Sequence, residues 1–226
     1  MRNIAHRFAG IFSVFIFMSG SAVAAEPQLY ETGPSEESSY VRFVNATDSA
    51  VAVISSKGSA KVELSTKSEG RASRFFPVKA GSKLSATVQS DGRKISVDVV
   101  GKPWEYITVV ALPGSASTVK TTLVREIPDD FNAMRSSLAL FNLDAKCNAA
   151  VMLGGAKSST ILEGVKPFSV QRRLVNPVKL AVNIACGGES KGAGVDFSQL
   201  EAGERYSVFL LPLKNTRQAF FVRDSN

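Results

Sequence analysis

Apolar and polar residues alternate along most of the chain, beginning at Tyr40. The runs YVRFV, AVAVI, KVEL, KLSATV, KISVDVV, YITVVAL and TVKTTLV are rich in β-branched and aromatic residues. A period of two puts one face of each run in a core and the other in solvent, which predicts strands. Turn-forming residues separate them: Asn45 to Ser49, Lys57-Gly58-Ser59, Ala80-Gly81-Ser82, Asp91-Gly92 and Pro113-Gly114. Asp91-Gly92 between two alternating runs is a hairpin signature, because both residue types tolerate the positive φ of a tight turn. The segment Ile127 to Arg135 (IPDDFNAMR) interrupts the rhythm, and Pro128 with two aspartates makes it a linker or a single helical turn. Strands then resume in SLALFNL, AAVMLG, FSVQRRL, VKLAVNIA, YSVFLLPL and QAFFVRD. No apolar stripe of helical period runs for a dozen residues after the N-terminal segment.

The two halves resemble each other. SSYVRFVNATDSAVAV at Ser38 matches SSLALFNLDAKCNAAV at Ser136, and EYITVVALP at Glu105 matches RYSVFLLP at Arg205. The offsets are 97 at Asn45 and Asn142, 100 at Tyr106 and Tyr206, and 98 at Arg125 and Arg223. A near-constant offset argues for a tandem duplication. The predicted fold is all-β, with two tandem β-sandwich domains of about seven strands each after a signal peptide. Tyr106 and Tyr206 stand where a strand begins, a position from which a hydroxyl can pin a loop.

The N-terminus has the pattern of a secretory signal. Arg2 and Arg7 precede an apolar run from Phe8 to Met18, and small residues lead to a cleavage site after Ala25. That run is well short of the ~20 residues a membrane-spanning helix needs. The expected divisions are therefore a signal peptide at 1–25, an irregular leader at 26–38, a first domain at 39–126, a linker at 127–135 and a second domain at 136–226. No transmembrane segment is expected in the mature chain.

Charge changes the picture modestly. Lys and Arg number 27 against 20 Asp and Glu, and without Arg2 and Arg7 the net charge is +5. No run of five basic residues occurs, so nucleic acid is not an expected partner, while an anionic glycan or membrane surface is compatible. The only histidine is His6, inside the signal peptide. The mature chain therefore has no imidazole for Ser-His-Asp or Cys-His chemistry, and no catalytic residue, cofactor site or metal site is expected. GGESKGAG, Gly187 to Gly194, lacks phosphate-loop spacing and reads as a hairpin loop.

Two cysteines, Cys147 and Cys186, are an isolated pair in an exported protein and are expected to form a disulfide. The strand parity of VKLAVNIAC and CNAAVML points both thiols into one core. Reducing this bridge is expected to lower the melting temperature of the second domain and leave the first unchanged.

A candidate partner or polymer surface comprises Arg172, Arg173, Lys179 and Trp104. Adjacent Arg172 and Arg173 break an apolar strand, so one faces inward unless it lies at an edge or interface. On this expectation, reversing both charges weakens binding and leaves the fold intact. Trp104 follows a proline at the entry to a strand. The general preference of aromatics favours core packing there, and the alternative is stacking on a sugar ring.

Three segments also carry a resemblance. QLYETGPSEESSYVRFVNA (Gln28 to Ala46), RRLVNPVKLAVNI (Arg172 to Ile184) and RYSVF (Arg205 to Phe209) resemble the alginate O-acetylation protein AlgF family. The resemblance implies a periplasmic accessory protein without a catalytic triad. It would link a membrane-bound acyltransferase to periplasmic acetyltransferases that modify alginate or a similar polymer such as cellulose. The cysteine pair lies outside the family pattern. The rival expectation is a periplasmic glycan-binding module acting on the finished polymer through Trp104, Tyr40, Arg172 and Arg173.

Overall fold

The alternating runs form strands in the structure, a computed structural model. It describes residues 37–226 apart from 59, 115–117, 129–130, 155–158, 188, 190–191, 214–215 and 225–226. The expected signal peptide and all but the end of the leader lie outside the described residues.

The first half contains β1 (Ser38–Asn45), β2 (Val51–Ser55), β3 (Lys61–Leu64), β4 (Phe76–Lys79), β5 (Lys83–Ser90), β6 (Arg93–Val100), β7 (Tyr106–Pro113) and β8 (Val119–Glu126), with a short 3-10 turn at Ser68–Gly70. The second half contains β9 (Ser136–Asn142), β10 (Ala149–Leu153), β11 (Thr160–Val165), β12 (Ser169–Val175), β13 (Lys179–Cys186), β14 (Ala193–Gln199), β15 (Arg205–Leu213) and β16 (Thr216–Arg223). Among the described residues each half thus has eight strands, one more than the pattern predicts. β4 is a short edge strand holding Pro77, and it carries too little alternation to be seen in sequence. β14 begins inside the glycine-rich stretch read as a loop, so that loop ends before Gly194.

The two halves have the same topology. The sheets β3-β2-β5-β6 and β4-β1-β7-β8 form one sandwich, and β11-β10-β13-β14 and β12-β9-β15-β16 form the other. β1 runs parallel to β7, and β9 runs parallel to β15. The hairpin at Asp91-Gly92 joins β5 to β6 with Ser90 opposite Arg93, and both turn residues have positive φ, 49° and 76°.

Each sandwich encloses its own core, but a third core lies between them. Val41, Phe43, Ile107 and Val109 face the first interior, and Leu138, Leu140, Val208 and Leu210 face the second. The residues of opposite parity are also buried. Val44, Val110, Leu112 and Val124 of the first half pack against Ala139, Phe141, Phe209, Leu211 and Phe220 of the second. The central strands are therefore covered on both faces, which explains their near-continuous apolar runs YITVVAL, SLALFNL and YSVFLLPL. Residues 36–226 form one compact unit.

Candidate functional site

Among the described residues, the largest fully buried side chain is that of Arg42, and it lies in the seam between the sandwiches. Arg42 sits on β1 among apolar neighbours, on the face turned away from its own sandwich core. Its side chain is 1% exposed. Nη1 donates to Asp224 Oδ1 at 2.7 Å, Nη2 to Ser207 Oγ at 3.0 Å and Nε to Thr108 Oγ1 at 3.0 Å. The guanidinium carbon also lies 4.4 Å from the ring centroid of Phe75, 4.7 Å from Phe141 and 4.9 Å from Phe209. A planar, weakly hydrated cation suits this stacked site. Burial pushes the Arg42 guanidinium below its ordinary value, and the carboxylates of Asp224 and Glu126 act in the opposite direction.

Arg172 completes the cluster from β12. It grips Glu126 with both Nε (3.1 Å) and Nη2 (2.8 Å), and Nη1 donates to Ser137 Oγ at 3.3 Å. Nη2 also reaches Asp224 Oδ2 at 3.5 Å. Two cations thus meet two carboxylates in a desolvated seam. The acids follow the repeat, since Glu126 and Asp224 are 98 positions apart at the ends of the two halves. So do Thr108 and Ser207, 99 apart, which both accept from Arg42. The bases do not follow it: one comes from β1 and the other from β12.

The expected surface is therefore corrected. Arg172 faces the seam, so it does not share an exposed face with its neighbour. Arg173 is exposed and donates to the Ile161 carbonyl at 2.9 Å. Lys179, at the start of β13, is exposed. Trp104 is 61% exposed on the β6–β7 connection, where its φ of 62° turns the ring away from the core that aromatic preference favours. Sequence reasoning missed Arg42, which reads as an ordinary outward position of an alternating strand. Only a second covered face gives it a role.

A cleft of about 330 Å3 opens beside the seam, lined by Glu69, Ser73, Arg74, Phe75, Arg223 and Asp224 among others. Arg223 is engaged there by Glu201 and Glu204, and its hydrogen bond holds the Glu204 carboxyl below the usual range. Ser73 Oγ donates to the Arg74 carbonyl there at 2.8 Å and accepts from the Phe43 N–H at 3.0 Å.

Cys147 and Cys186 form the expected disulfide, with Cα atoms 5.4 Å apart. Cys147 stands two residues before β10, where Ala149 pairs with Cys186. Asp144 lies beside the bridge. Its carboxylate accepts from Arg217 Nε at 2.8 Å and from the Lys146 N–H, and oxidised thiols offer no thiolate ligand. Tyr206 pins a loop as its position predicts, its hydroxyl accepting from the Glu201 N–H at 3.0 Å. Tyr106 stacks on Tyr40, with centroids 4.7 Å apart.

Among the described residues, no helix is long and apolar enough to cross a membrane. No protein-family model matches the chain, and no curated protein matches it. Solved structures that match include the TIE protein of Bacillus anthracis, at 10% identity over 77% of this chain and 34% of that chain, with a TM-score of 0.27. A cell-adhesion candidate from Bacteroides uniformis matches at 12% identity over 84% of this chain and 98% of that chain, with a TM-score of 0.31. The chain spans about a third of the first. Both likenesses are distant, and neither bears on function.

Proposed function

We propose that this chain is a non-catalytic periplasmic adaptor for O-acetylation of an exopolysaccharide, alginate or a similar polymer such as cellulose. It links a membrane-bound acyltransferase to periplasmic acetyltransferases. The observation that carries this reading is the locked pair of sandwiches. A shared apolar core and buried ion pairs join the halves. A joined pair of this kind supplies two surfaces on one body, which is what an adaptor needs to bring two partners together. The absence of histidine from the mature sequence and the AlgF-like segments agree with it. The disulfide fits an oxidising compartment. Deleting the gene and measuring acetyl content of the polymer tests the reading: acetylation should collapse while polymer is still made, and unchanged acetylation removes the proposal.

A second reading, a glycan-binding module, is favoured by the exposed ring of Trp104. An adaptor retains proteins in a pull-down, whereas a glycan module retains oligosaccharide and loses it on Trp104→Ala.

A further inference from the structure

Three metal-ligating side chains meet where β9 turns into β10. Asp144 and Cys147 lie on the β9–β10 loop, and Cys186 ends β13. A carboxylate oxygen of Asp144 and the two sulfurs all lie within 4.8 Å of one another. Bonded to each other, the sulfurs offer no thiolate. Reduced, they become two thiols beside a carboxylate. That donor set suits zinc, which takes sulfur at about 2.3 Å and oxygen at about 2.0–2.2 Å in a tetrahedron. Two sulfurs on such an ion stand about 3.8 Å apart, so the pair needs only to relax to ordinary contact.

The corner that carries these donors is built without the bridge. Asn142 Nδ2 donates to the Cys147 carbonyl at 2.8 Å, and its Oδ1 accepts from the Asp144 N–H at 3.0 Å. One buried amide thus sets the backbone of both loop donors. Strand pairing puts Ala149 opposite Cys186, and the Gly187 N–H donates to the Asn148 carbonyl at 3.2 Å. The first sandwich makes the same corner with hydroxyls in place of sulfur. There Asn45 holds Thr47 and Ser49, and Ser90 stands opposite Val51 as Cys186 stands opposite Ala149. A corner that closes without a cross-link in one half keeps its shape in the other when the cross-link is opened.

Asp144 is already oriented as a ligand. The Lys146 N–H donates to Oδ1 at 2.8 Å and Arg217 Nε to Oδ2 at 2.8 Å. Outer hydrogen bonds of this kind fix ligating carboxylates, and each oxygen keeps a second lone pair. The charges nearby are mixed: Arg217 also holds Glu189 at 2.7 Å, Lys146 is exposed, and Lys191 of the Glu189 loop lies outside the described residues. The affinity therefore comes from the donors and not from a surrounding field. Cys147 is half-buried, which gives a reductant and an ion access, while Cys186 is buried.

The geometry points to a zinc site in the dithiol form of this protein, with Cys147, Cys186 and Asp144 as ligands and water in the fourth position. Bridge and ion exclude each other. A dithiol reductant gives two electrons and two protons to the disulfide and leaves as its own disulfide. Zn2+ then displaces the thiol protons to solvent. The site is independent of the acetylation reading.

The exported protein is reduced under anaerobic conditions, freed of reductant, and titrated with Co2+ and then Zn2+. Before metal is added, its circular dichroism should match that of the oxidised protein. One equivalent of Co2+ should bring the visible bands of a tetrahedral ion together with thiolate charge-transfer absorption. Zn2+ should displace the Co2+ and raise the melting temperature of the reduced protein. The oxidised protein should show neither effect, and Cys147→Ser/Cys186→Ser should lose the charge-transfer absorption. Asp144→Asn should bind Zn2+ at least about tenfold more weakly, which separates a three-ligand site from two thiols alone. Unaltered affinity in Asp144→Asn overturns the inference, as does unfolding on reduction alone or an unchanged melting temperature with Zn2+. Whether or not that variant folds, weak octahedral bands in the parent overturn it too. Equal binding by the oxidised protein places the ion elsewhere and does the same.

Discussion

Arg42 and Asp224 form a 2.7 Å ion pair across 182 positions of sequence, one on the first strand and the other just beyond the last. Both side chains are more than nine-tenths buried, and the pair closes the seam between the two sandwiches. Asp224 also accepts from Ser207 at 2.9 Å and faces Arg172 at 3.5 Å, so one carboxylate serves two buried guanidinia. A buried ion pair is weak evidence of net stabilisation, because desolvation offsets much of the attraction. Removing one partner is different, since it strands the other charge in an apolar seam.

Asp224→Ala should therefore destabilise the protein by about 3–5 kcal/mol, the usual cost of breaking a buried pair. Urea unfolding followed by circular dichroism measures it. A loss below about 1 kcal/mol would mean that water reaches Arg42 and that the seam is not the tie described.

Asn45 and Asn142 should behave as equivalents. Asn45 Nδ2 donates to the Ser49 and Ser65 carbonyls, and its Oδ1 accepts from the Thr47 N–H. Asn142 Nδ2 donates to the Cys147 and Val165 carbonyls, and its Oδ1 accepts from the Asp144 N–H. Each buried amide thus replaces ladder partners where its strand ends. Alanine at either site leaves several buried backbone groups without these partners, and each such group costs about 1–3 kcal/mol. Losses of about 2–4 kcal/mol at both positions are expected. A strongly destabilising change at one site and a neutral one at the other would argue against structural equivalence.

The two adjacent arginines should separate cleanly. Arg172→Ala abandons Glu126 in the seam and should cost about 2–4 kcal/mol. Arg173→Ala removes an exposed bond to a carbonyl and should fall within about 0.5 kcal/mol of the parent. Reversing both charges does not leave the fold intact, because a carboxylate at position 172 would face Glu126 and Asp224. A binding test of the exposed face needs Arg173→Glu alone, and thermal melts of the two single variants check the division.

The alternation of the chain was enough to read strands, sandwiches and the internal repeat, because a period of two reports which side of a strand is apolar. It does not report what lies over the other side. Arg42 in YVRFV looks like a solvent position, and becomes an interface position only because Phe141 and Phe209 arrive from the second half. A usable signal was present in YITVVAL, SLALFNL and YSVFLLPL, where both parities are apolar and both faces must be covered. The short edge strand β4 was hidden by Pro77. The exposure of Trp104 was hidden by a backbone conformation that no propensity assigns to tryptophan. The cysteine pair was legible because both thiols share the parity of buried neighbours.

The disulfide and the shared core together make a prediction about cooperativity. The Cys147–Cys186 bridge closes a loop with a sequence separation of 39, for which the chain-entropy estimate is about 4 kcal/mol at 25 °C. Were the domains independent, reduction would lower only the second melting transition. The third core denies the halves that independence. Unfolding the second would expose Val44, Val110, Leu112 and Val124 of the first, together with the guanidinium of Arg42. Exposing buried apolar area of that kind is strongly unfavourable, so the first sandwich should not survive alone at the same temperature. Calorimetry of the oxidised protein should show one transition whose calorimetric and van't Hoff enthalpies agree. The reduced and alkylated protein should also show one transition, moved to lower temperature as a unit. Two resolved peaks, with only the lower one shifted by reduction, would show that the seam is too weak to couple the halves.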